Sequence, residues 1–193
     1  MEIILIGSGT HLNVLIDILN SYKKYQLMGY ISNKENLDLK LNYLGDDNEF
    51  KKNNKSTNNT FINGIGSIKQ KNNFLRNSIF NFYRQFGKFE NILHKTAFIS
   101  KGSFFDEGFQ ILMRSSIGIN VKIGKNVLIN SGVIIEHDCI IEDNVIISPG
   151  STICGGVTIK KNSFIGASST IIQNINISEN SFIKSNALVS HDV

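Results

Sequence analysis

The chain has 193 residues, of which 41% are hydrophobic and 19% are charged, and its formal net charge is +4. This length allows one domain or two small ones, and the hydrophobic content excludes a disordered chain. The charge is too small to indicate a nucleic acid as partner. No apolar stretch reaches membrane-spanning length, and the two cysteines, Cys139 and Cys154, match no zinc or disulfide pattern. We therefore expect a globular protein of the reducing cytoplasm that uses neither a membrane nor a metal ion.

The N-terminal part of the sequence alternates between short apolar runs and helical patterns. Residues 3–6, 27–31 and 61–65 predict buried strands, and a last strand is expected at residues 90–93. Helices are predicted at residues 11–22 and from Gly66 to about residue 86, while the asparagine-rich residues 51–60 predict an exposed loop or a helix end. Strands that alternate with helices indicate a small α/β unit with a parallel sheet.

A glycine-containing turn, Gly7-Ser8-Gly9-Thr10, lies between the first predicted strand and the first predicted helix. Backbone amides at such a helix N-terminus can hold a phosphate, although two glycines also make a tight turn in any α/β domain. An NAD-dependent oxidoreductase would require a third glycine at the start of the helix. Leu12 occupies about that place, so we do not expect NAD.

From Ile99 onward the sequence repeats with a period of six. Fourteen of the sixteen residues at this spacing between Ile99 and Val189 are isoleucine. The third residue after each of them is usually glycine, asparagine or aspartate, which make turns and adopt left-handed backbone conformations at low cost. The period predicts a solenoid in which the isoleucines point inward and stack on those of neighbouring coils. An ordinary antiparallel sheet, the alternative, does not require a turn residue at every sixth position.

Several segments resemble the motifs of one protein family. Residues 7–11 resemble a GxGGHG opening, residues 61–66 a second glycine motif, residues 93–97 an LIHPSA segment, and residues 135–139 and 148–150 an HDC and SPG core. Together these segments resemble the hexapeptide-repeat sugar acyltransferases, the family of sialic acid O-acetyltransferases and UDP-4-amino-sugar N-acetyltransferases. The resemblance implies a small Rossmann-like α/β domain at residues 1–94 that binds the nucleotide sugar. It also implies a left-handed parallel β-helix of five coils at residues 95–193.

Acyl transfer from a thioester requires a base for the acceptor and a donor that stabilises the developing oxyanion. Histidine is the natural base because its pKa lies near 6.5. The sequence contains four histidines, at positions 11, 94, 137 and 191, and the resemblance assigns the role of base to His137. Either Asp138 or Glu136 could hold the tautomer of His137, and the resemblance favours Asp138.

The resemblance also implies which residues contact the ligands. The amide of Gly155 would face the acetyl carbonyl of acetyl-CoA, and Gly166 and Ala167 would line its pantetheine. Ile146 stands where relatives carry a second histidine that contacts acetyl-CoA, and Ser32 and Asn33 stand where relatives have two acidic residues. The residues expected to bind the acceptor are Gly7, Ser8, Gly9, Thr10, His11, Asn33, Gly64 and Gly66.

The expected function is therefore N-acetylation of a nucleotide-linked 4-amino-deoxysugar in surface-glycan biosynthesis, by a homotrimer with acetyl-CoA as co-substrate. One alternative is an O-acetyltransferase that acts on sialic acid or a related sugar. A catalytically weak scaffold protein is an alternative of another class. It is suggested by Ile146 and by the end of the chain at Val193, before the further coil with a G-x-P-A segment that relatives carry.

Overall fold

The computed structural model describes residues 1–54, 56–66 and 70–193, and it gives side chains for these residues except 70–73. The chain forms two compact units. The first comprises Met1–Ile68 and Ser78–Glu90, and the second comprises Lys69–Asn77 and Asn91–Val193. The division into functional domains after residue 94 stays a prediction. Of the helices described, none has both the length and the apolar character needed to cross a membrane.

The first unit is built on a four-stranded parallel sheet in the order β2-β1-β3-β4. Its strands are β1 (Glu2–Ile6), β2 (Gln26–Ile31), β3 (Asn59–Asn63) and β4 (Gly87–Phe89). The helices are α1 (Thr10–Asn20), α2 (Asp47–Asn53) and α3 (Gln70–Tyr83), and α3 is followed by a 3-10 turn at Arg84–Phe86. Because β2 and β3 flank β1 on opposite sides, the strand order reverses at the carboxyl end of β1, which is where open α/β sheets place their ligands.

The predicted elements of this unit agree with the structure except at two places. Helix α2 was not predicted, although Asp46 and Glu49 form a capping box at its start and Phe50 is its buried residue. The segment predicted as an exposed loop or a helix end, residues 51–60, contains the end of α2 at Asn53 and the connection to β3, which begins at Asn59. Lys55 lies outside the described residues. The predicted start of the helix after Gly66, at residues 67–69, also lies outside them.

The prediction of a last strand at residues 90–93 was wrong. The fourth strand is Gly87–Phe89, because Phe89 is the residue that packs into the aromatic core of this unit, against Phe61 and Phe80. Residues Ile92–Leu93 instead pair with Gln110–Ile111 and form the first strand of the second unit.

The second unit contains a parallel β-helix of about five turns, which confirms the predicted fold class. Each turn has three two-residue strands, which form three faces. The first face contains Ile92–Leu93, Gln110–Ile111, Leu128–Ile129, Ile146–Ile147, Phe164–Ile165 and Phe182–Ile183. The second face contains Phe98–Ile99, Ser116–Ile117, Ile134–Ile135, Thr152–Ile153, Thr170–Ile171 and Leu188–Val189. The third face contains Phe104–Phe105, Lys122–Ile123, Ile140–Ile141, Thr158–Ile159 and Asn176–Ile177.

The turn residues of the β-helix adopt a left-handed backbone at every sixth position from Gly102 to Asn186. These residues have a positive φ, including Arg114 at 57° and Ser168 at 56°. Neither residue type favours this conformation. The inward isoleucines from Ile111 to Ile177 are buried in one continuous core. Stacking of this core therefore imposes the turn even where the local sequence opposes it.

Because Ser168 is held in a backbone conformation that serine does not favour, Ser168→Gly should change the stability of the protein. A left-handed backbone costs a non-glycine residue roughly 1–2 kcal/mol, and glycine loses roughly 0.5–1 kcal/mol more chain entropy on folding. The substitution should therefore raise the free energy of unfolding by roughly 0.5–1 kcal/mol, measured by urea denaturation. Ser100→Gly is the control, because Ser100 lies in the same β-helix without a positive φ, and it should lower stability. Equal effects of the two substitutions would contradict this account.

Candidate functional site

His137 lies on a corner of the β-helix, in the turn between Ile134–Ile135 and Ile140–Ile141. The neighbouring inward residues Ile135 and Cys139 are buried in the core, and the His137 side chain, two residues after the inward isoleucine, is 59% exposed. We name the turns at residues 118–121, 136–139 and 154–157, which join the second face to the third, the histidine corner. The repeat thus directs this imidazole away from the core.

Asp138 is the hydrogen-bond partner of the His137 ring. Its Oδ2 lies 2.8 Å from Nδ1 of His137, and its backbone is left-handed, with φ 59°. The hydrogen bond to His137 and, after it, one from Asn120 lower the pKa of the Asp138 carboxyl. An ionised carboxylate can only accept, so Nδ1 carries the proton of the neutral ring and the lone pair of Nε2 is left available. Of the two acids considered from the sequence, Asp138 contacts the ring.

Two glycines in the adjacent coils make room for His137. A Cβ at Gly155 would lie 2.7 Å from both Cε1 and Nε2 of the imidazole. On the other side, a Cβ at Gly118 would lie 2.7 Å from the backbone nitrogen of His137. Any side chain larger than that of glycine at position 155 would displace the ring. The imidazole therefore packs directly over Gly155, with Nε2 next to the place that a Cβ would occupy.

The backbone amide of Gly155 makes no hydrogen bond to another residue in the part of the chain that the structure describes. Two amides at the equivalent position of other repeats donate to carboxylates. The amide of Lys125 donates to Asp143 over 2.8 Å, and that of Lys161 donates to Glu142 over 3.1 Å. An amide at this position of the repeat can therefore hold a negatively charged oxygen, and Gly155 presents one next to Nε2 of His137.

The other residues expected to contact acetyl-CoA lie elsewhere on the β-helix. Gly166 and Ala167 are on the corner between the first and second faces, where a Cβ at Gly166 would contact the backbone of Lys184 and Ser185. Ile146 is on the first face and is 0% exposed. The structure therefore gathers His137, Asp138 and Gly155, but it does not bring Gly166, Ala167 or Ile146 to the same corner. The buried side chain of Ile146 offers no surface to a ligand.

In the first unit, the predicted glycines meet at the carboxyl ends of β1 and β3. Gly7 has φ 104°, and the amide of Gly64 donates to the carbonyl of Ile6 over 2.8 Å. A Cβ at Gly66 would lie 2.9 Å from Cβ of His11. Gly7, Gly64, Gly66 and His11 therefore form one cluster, in which close backbone packing accounts for the glycines.

The start of helix α1 is the polar part of this cluster. Gly9 is its N-cap without a side-chain hydrogen bond, and the first turn, from Thr10, contains no acidic residue. The positive end of the helix is therefore not neutralised by a side chain of the helix itself. The hydroxyl of Ser32 donates to Ser8, and the neighbouring Asn33 is exposed. The predicted acceptor-binding residues thus lie together at one end of the sheet.

Asn120 and Gly118 were missed as site residues from the sequence. The side-chain amide of Asn120 donates to Oδ1 of Asp138 over 3.0 Å. Asn120 lies eighteen residues before Asp138, which is one full turn of three hexapeptides, and this interval is the signal that could have found it. Among the described residues, no group of three or more histidines, cysteines and acids could hold a metal ion.

Two family models match the sequence. The PglD N-terminal domain matches residues 2–81, and the bacterial transferase hexapeptide (six repeats) matches residues 120–155 and 138–173. The first match contains the glycine cluster of the first unit, and the second contains the histidine corner from Asn120 to Gly155. No curated protein sequence matches the chain.

Solved structures share the fold over the whole chain. A mutant perosamine N-acetyltransferase from Caulobacter crescentus, in complex with CoA and GDP-perosamine, is 21% identical with a TM-score of 0.87, covering 100% of this chain and 90% of its own. The acetyltransferase domain of PglB from Neisseria gonorrhoeae, in complex with acetyl coenzyme A, is 20% identical with a TM-score of 0.86, covering 100% and 92%. WeeI from Acinetobacter baumannii is 18% identical with a TM-score of 0.83, covering 100% and 93%. At these identities the likeness establishes the fold.

Proposed function

This chain is a hexapeptide-repeat transferase with a PglD-type N-terminal domain, and we propose that it transfers the acetyl group of acetyl-CoA to the amine of a nucleotide-linked 4-amino-deoxysugar. The observation that carries this proposal is the histidine corner, where Nε2 of His137 lies beside the unused amide of Gly155. Support for the substrates comes from similar structures that contain CoA with GDP-perosamine or acetyl coenzyme A. The reaction would be a cytoplasmic step of surface-glycan biosynthesis.

In this mechanism His137 is the general base. The sugar amine is mostly protonated near neutral pH and attacks only after its ammonium form has released one proton to solvent. Nε2 of His137 accepts a proton from the nitrogen as the new N–C bond forms, and the carboxylate of Asp138 stabilises the resulting imidazolium through Nδ1. The imidazolium then returns the proton to the leaving sulfur, so the base is regenerated. A base in this position typically contributes on the order of 10² to 10⁴ in rate.

Gly155 would supply the second requirement of acyl transfer. Acetyl-CoA brings the acyl group as a thioester, and negative charge develops on its carbonyl oxygen during attack. The amide of Gly155 donates to that oxygen in the way that the amides of Lys125 and Lys161 donate to carboxylates. The corner therefore combines a proton acceptor, Nε2 of His137, with a hydrogen-bond donor, the amide of Gly155, and this pair fits attack on an acyl thioester.

The remaining cofactor contacts divide into two groups. Gly166 and Ala167 stay proposed contacts of the pantetheine, on the neighbouring corner of the β-helix. Ile146 is not assigned to acetyl-CoA binding, because its buried side chain packs inside the protein. The hydrophobic residue at this position therefore serves the packing of the first face, and it replaces the second histidine of relatives without lining the site.

For the acceptor, we propose that the glycine cluster of the first unit holds the nucleotide. The N-terminus of α1, from Gly9 to His11, would face its phosphates, with Ser8 and Asn33 at the side. Asn33 can donate and accept hydrogen bonds, whereas the acidic residues of relatives only accept, so the nucleotide base need not be uracil. O-acetylation of sialic acid is the second candidate, since His137 could also deprotonate a hydroxyl.

We also propose that the protein works as a homotrimer. Five apolar side chains are exposed around the histidine corner and on its two adjoining faces, and we call them the apolar patch: Phe98, Phe104, Ile119, Ile134 and Ile140. Apolar surface of this kind on a soluble protein commonly marks an interface. The proposed acetyl-CoA contacts lie on two different corners of one chain, and a neighbouring copy would bring the corner with Gly166 and Ala167 to the corner with His137.

The first test of this function is His137→Ala. Turnover should fall roughly 10²-fold or more because the base is lost, while the melting temperature should hold because the side chain is exposed. The assay follows release of CoA from acetyl-CoA with a panel of UDP- and GDP-linked 4-amino sugars and sialic acids. His94→Ala, which removes a half-buried histidine of the second unit, and Ile146→Val should keep the turnover. Near-normal turnover of His137→Ala would show that His137 is not the base and would assign that role to His11 or His191. If the wild type transfers acetyl groups to none of these acceptors, the alternative of a catalytically weak scaffold protein would be favoured.

The trimer has its own test in Ile134→Lys. A charge in the apolar patch should convert trimers to monomers in light scattering and lower the turnover, although His137 is unchanged. Ser178→Lys is the matched control, because it adds the same charge at an exposed position on the corner between the third and first faces, away from the apolar patch and from Gly166 and Ala167. A wild-type protein that is monomeric at assay concentration, or a mutant that stays trimeric and fully active, would contradict the proposed interface.

A further inference from the structure

A chain of two hydrogen bonds runs from Asn120 to the imidazole of His137. The amide Nδ2 of Asn120 donates to Oδ1 of Asp138 over 3.0 Å, and Oδ2 of Asp138 accepts from Nδ1 of His137 over 2.8 Å. All three residues lie in the second unit, in two adjacent turns of the histidine corner. The two oxygens of one carboxylate are therefore held by two different donors.

We propose that Asn120 is a positioning residue, which fixes the Asp138 carboxylate so that His137 keeps its proton on Nδ1 and exposes the lone pair of Nε2. The effect of Asn120 on catalysis rests on the function proposed above. Asn120 itself touches neither of the proposed substrates. It acts through Asp138, and its contribution is the orientation of one carboxylate plane.

The exposure of Asp138 makes such a residue necessary. Its side chain is 55% exposed, so solvent competes for both carboxylate oxygens. The left-handed backbone fixes the position of the Cα atom but leaves the side-chain torsions free. A hydrogen bond to Oδ1 from the preceding turn removes that freedom and aims Oδ2 at Nδ1. Without it, the carboxylate would populate rotamers that leave Nδ1 without its acceptor, and the neutral ring would exchange freely between its two tautomers.

A purely structural amide ladder is the alternative, and the same protein contains one. On the corner between the third and first faces, Nδ2 of Asn126 donates to Oδ1 of Asn144 over 2.8 Å, and no histidine is involved. Asn120 differs because its acceptor is a carboxylate that also holds an imidazole. The other titratable residues in the three turns of the corner are Glu136, Cys139 and Cys154. The test must therefore report on the His137 ring itself.

The experiment is nitrogen-15 NMR of the imidazole in wild type, Asn120→Ala and Asn120→Asp, with the His137 signals assigned by His137→Ala. In the wild type the neutral ring should be mainly the Nδ1–H tautomer. In Asn120→Ala the Nε2–H fraction should rise, because the Asp138 carboxylate is no longer oriented toward Nδ1. In Asn120→Asp the Nε2–H fraction should also rise, because an ionised carboxylate cannot donate a hydrogen bond to Oδ1 of Asp138.

Asn180→Ala is the matched control for the cost of alanine in a left-handed turn. Asn180 is exposed on another corner with φ 62°, close to the 60° of Asn120. Its substitution should lower the melting temperature as Asn120→Ala does, and it should leave the His137 tautomer unchanged. If Asn120→Ala behaves like this control in the NMR spectrum, Asn120 is structural only and the proposal fails.

Kinetics separate this inference from the proposed function. With an accepted sugar, both Asn120 variants should lower turnover roughly 10-fold, less than loss of the base itself. If no acceptor is turned over by the wild type, the proposed function fails, while the NMR result still decides the role of Asn120. Wild-type turnover in both variants would overturn the positioning role.

Discussion

The stacking of inward isoleucines from one turn of the β-helix to the next is the constraint on which the rest of the second unit depends. Strand pairing such as Ile135 with Ile153 sets the register at eighteen residues per turn. Equivalent corner residues therefore lie one strand spacing apart, about 4.8 Å. This spacing places Gly155 against the ring of His137 and the amide of Asn120 against Asp138. The same stacking that stabilises the fold thus assembles the site, with no long loop to hold it.

The β-helix was predictable because one physical rule repeats along the chain. Each hexapeptide is specified by an inward isoleucine that is followed three residues later by a turn-forming residue. The stacked core forces even Arg114 and Ser168 into the left-handed turn. The first unit follows no such repeat. Its last strand depends on Phe89 reaching an aromatic cluster formed by residues distant in sequence. A short segment such as residues 90–93, with only two apolar residues, carries no information about which of two sheets it will join.

The candidate site was predictable to the extent that it is local. His137 and Asp138 are adjacent in sequence, and one motif contains both, so the pair can be recognised from the sequence alone. The burial of Ile146 and the separate corner of Gly166 and Ala167 depend on which face each repeat occupies. Asn120 requires the number of repeats per turn as well, because only three hexapeptides per coil place it beside Asp138. The roles of all these residues in catalysis remain proposals.

The central claim is that acyl transfer takes place at the histidine corner. A crystal structure of the wild-type protein with CoA and an accepted nucleotide-linked amino sugar tests it most directly. We expect the sulfur of CoA to lie beside the amide of Gly155, and the sugar amine to lie within hydrogen-bond distance of Nε2 of His137. A CoA sulfur bound away from His137 and Gly155, with electron density well defined for the whole ligand, would contradict it.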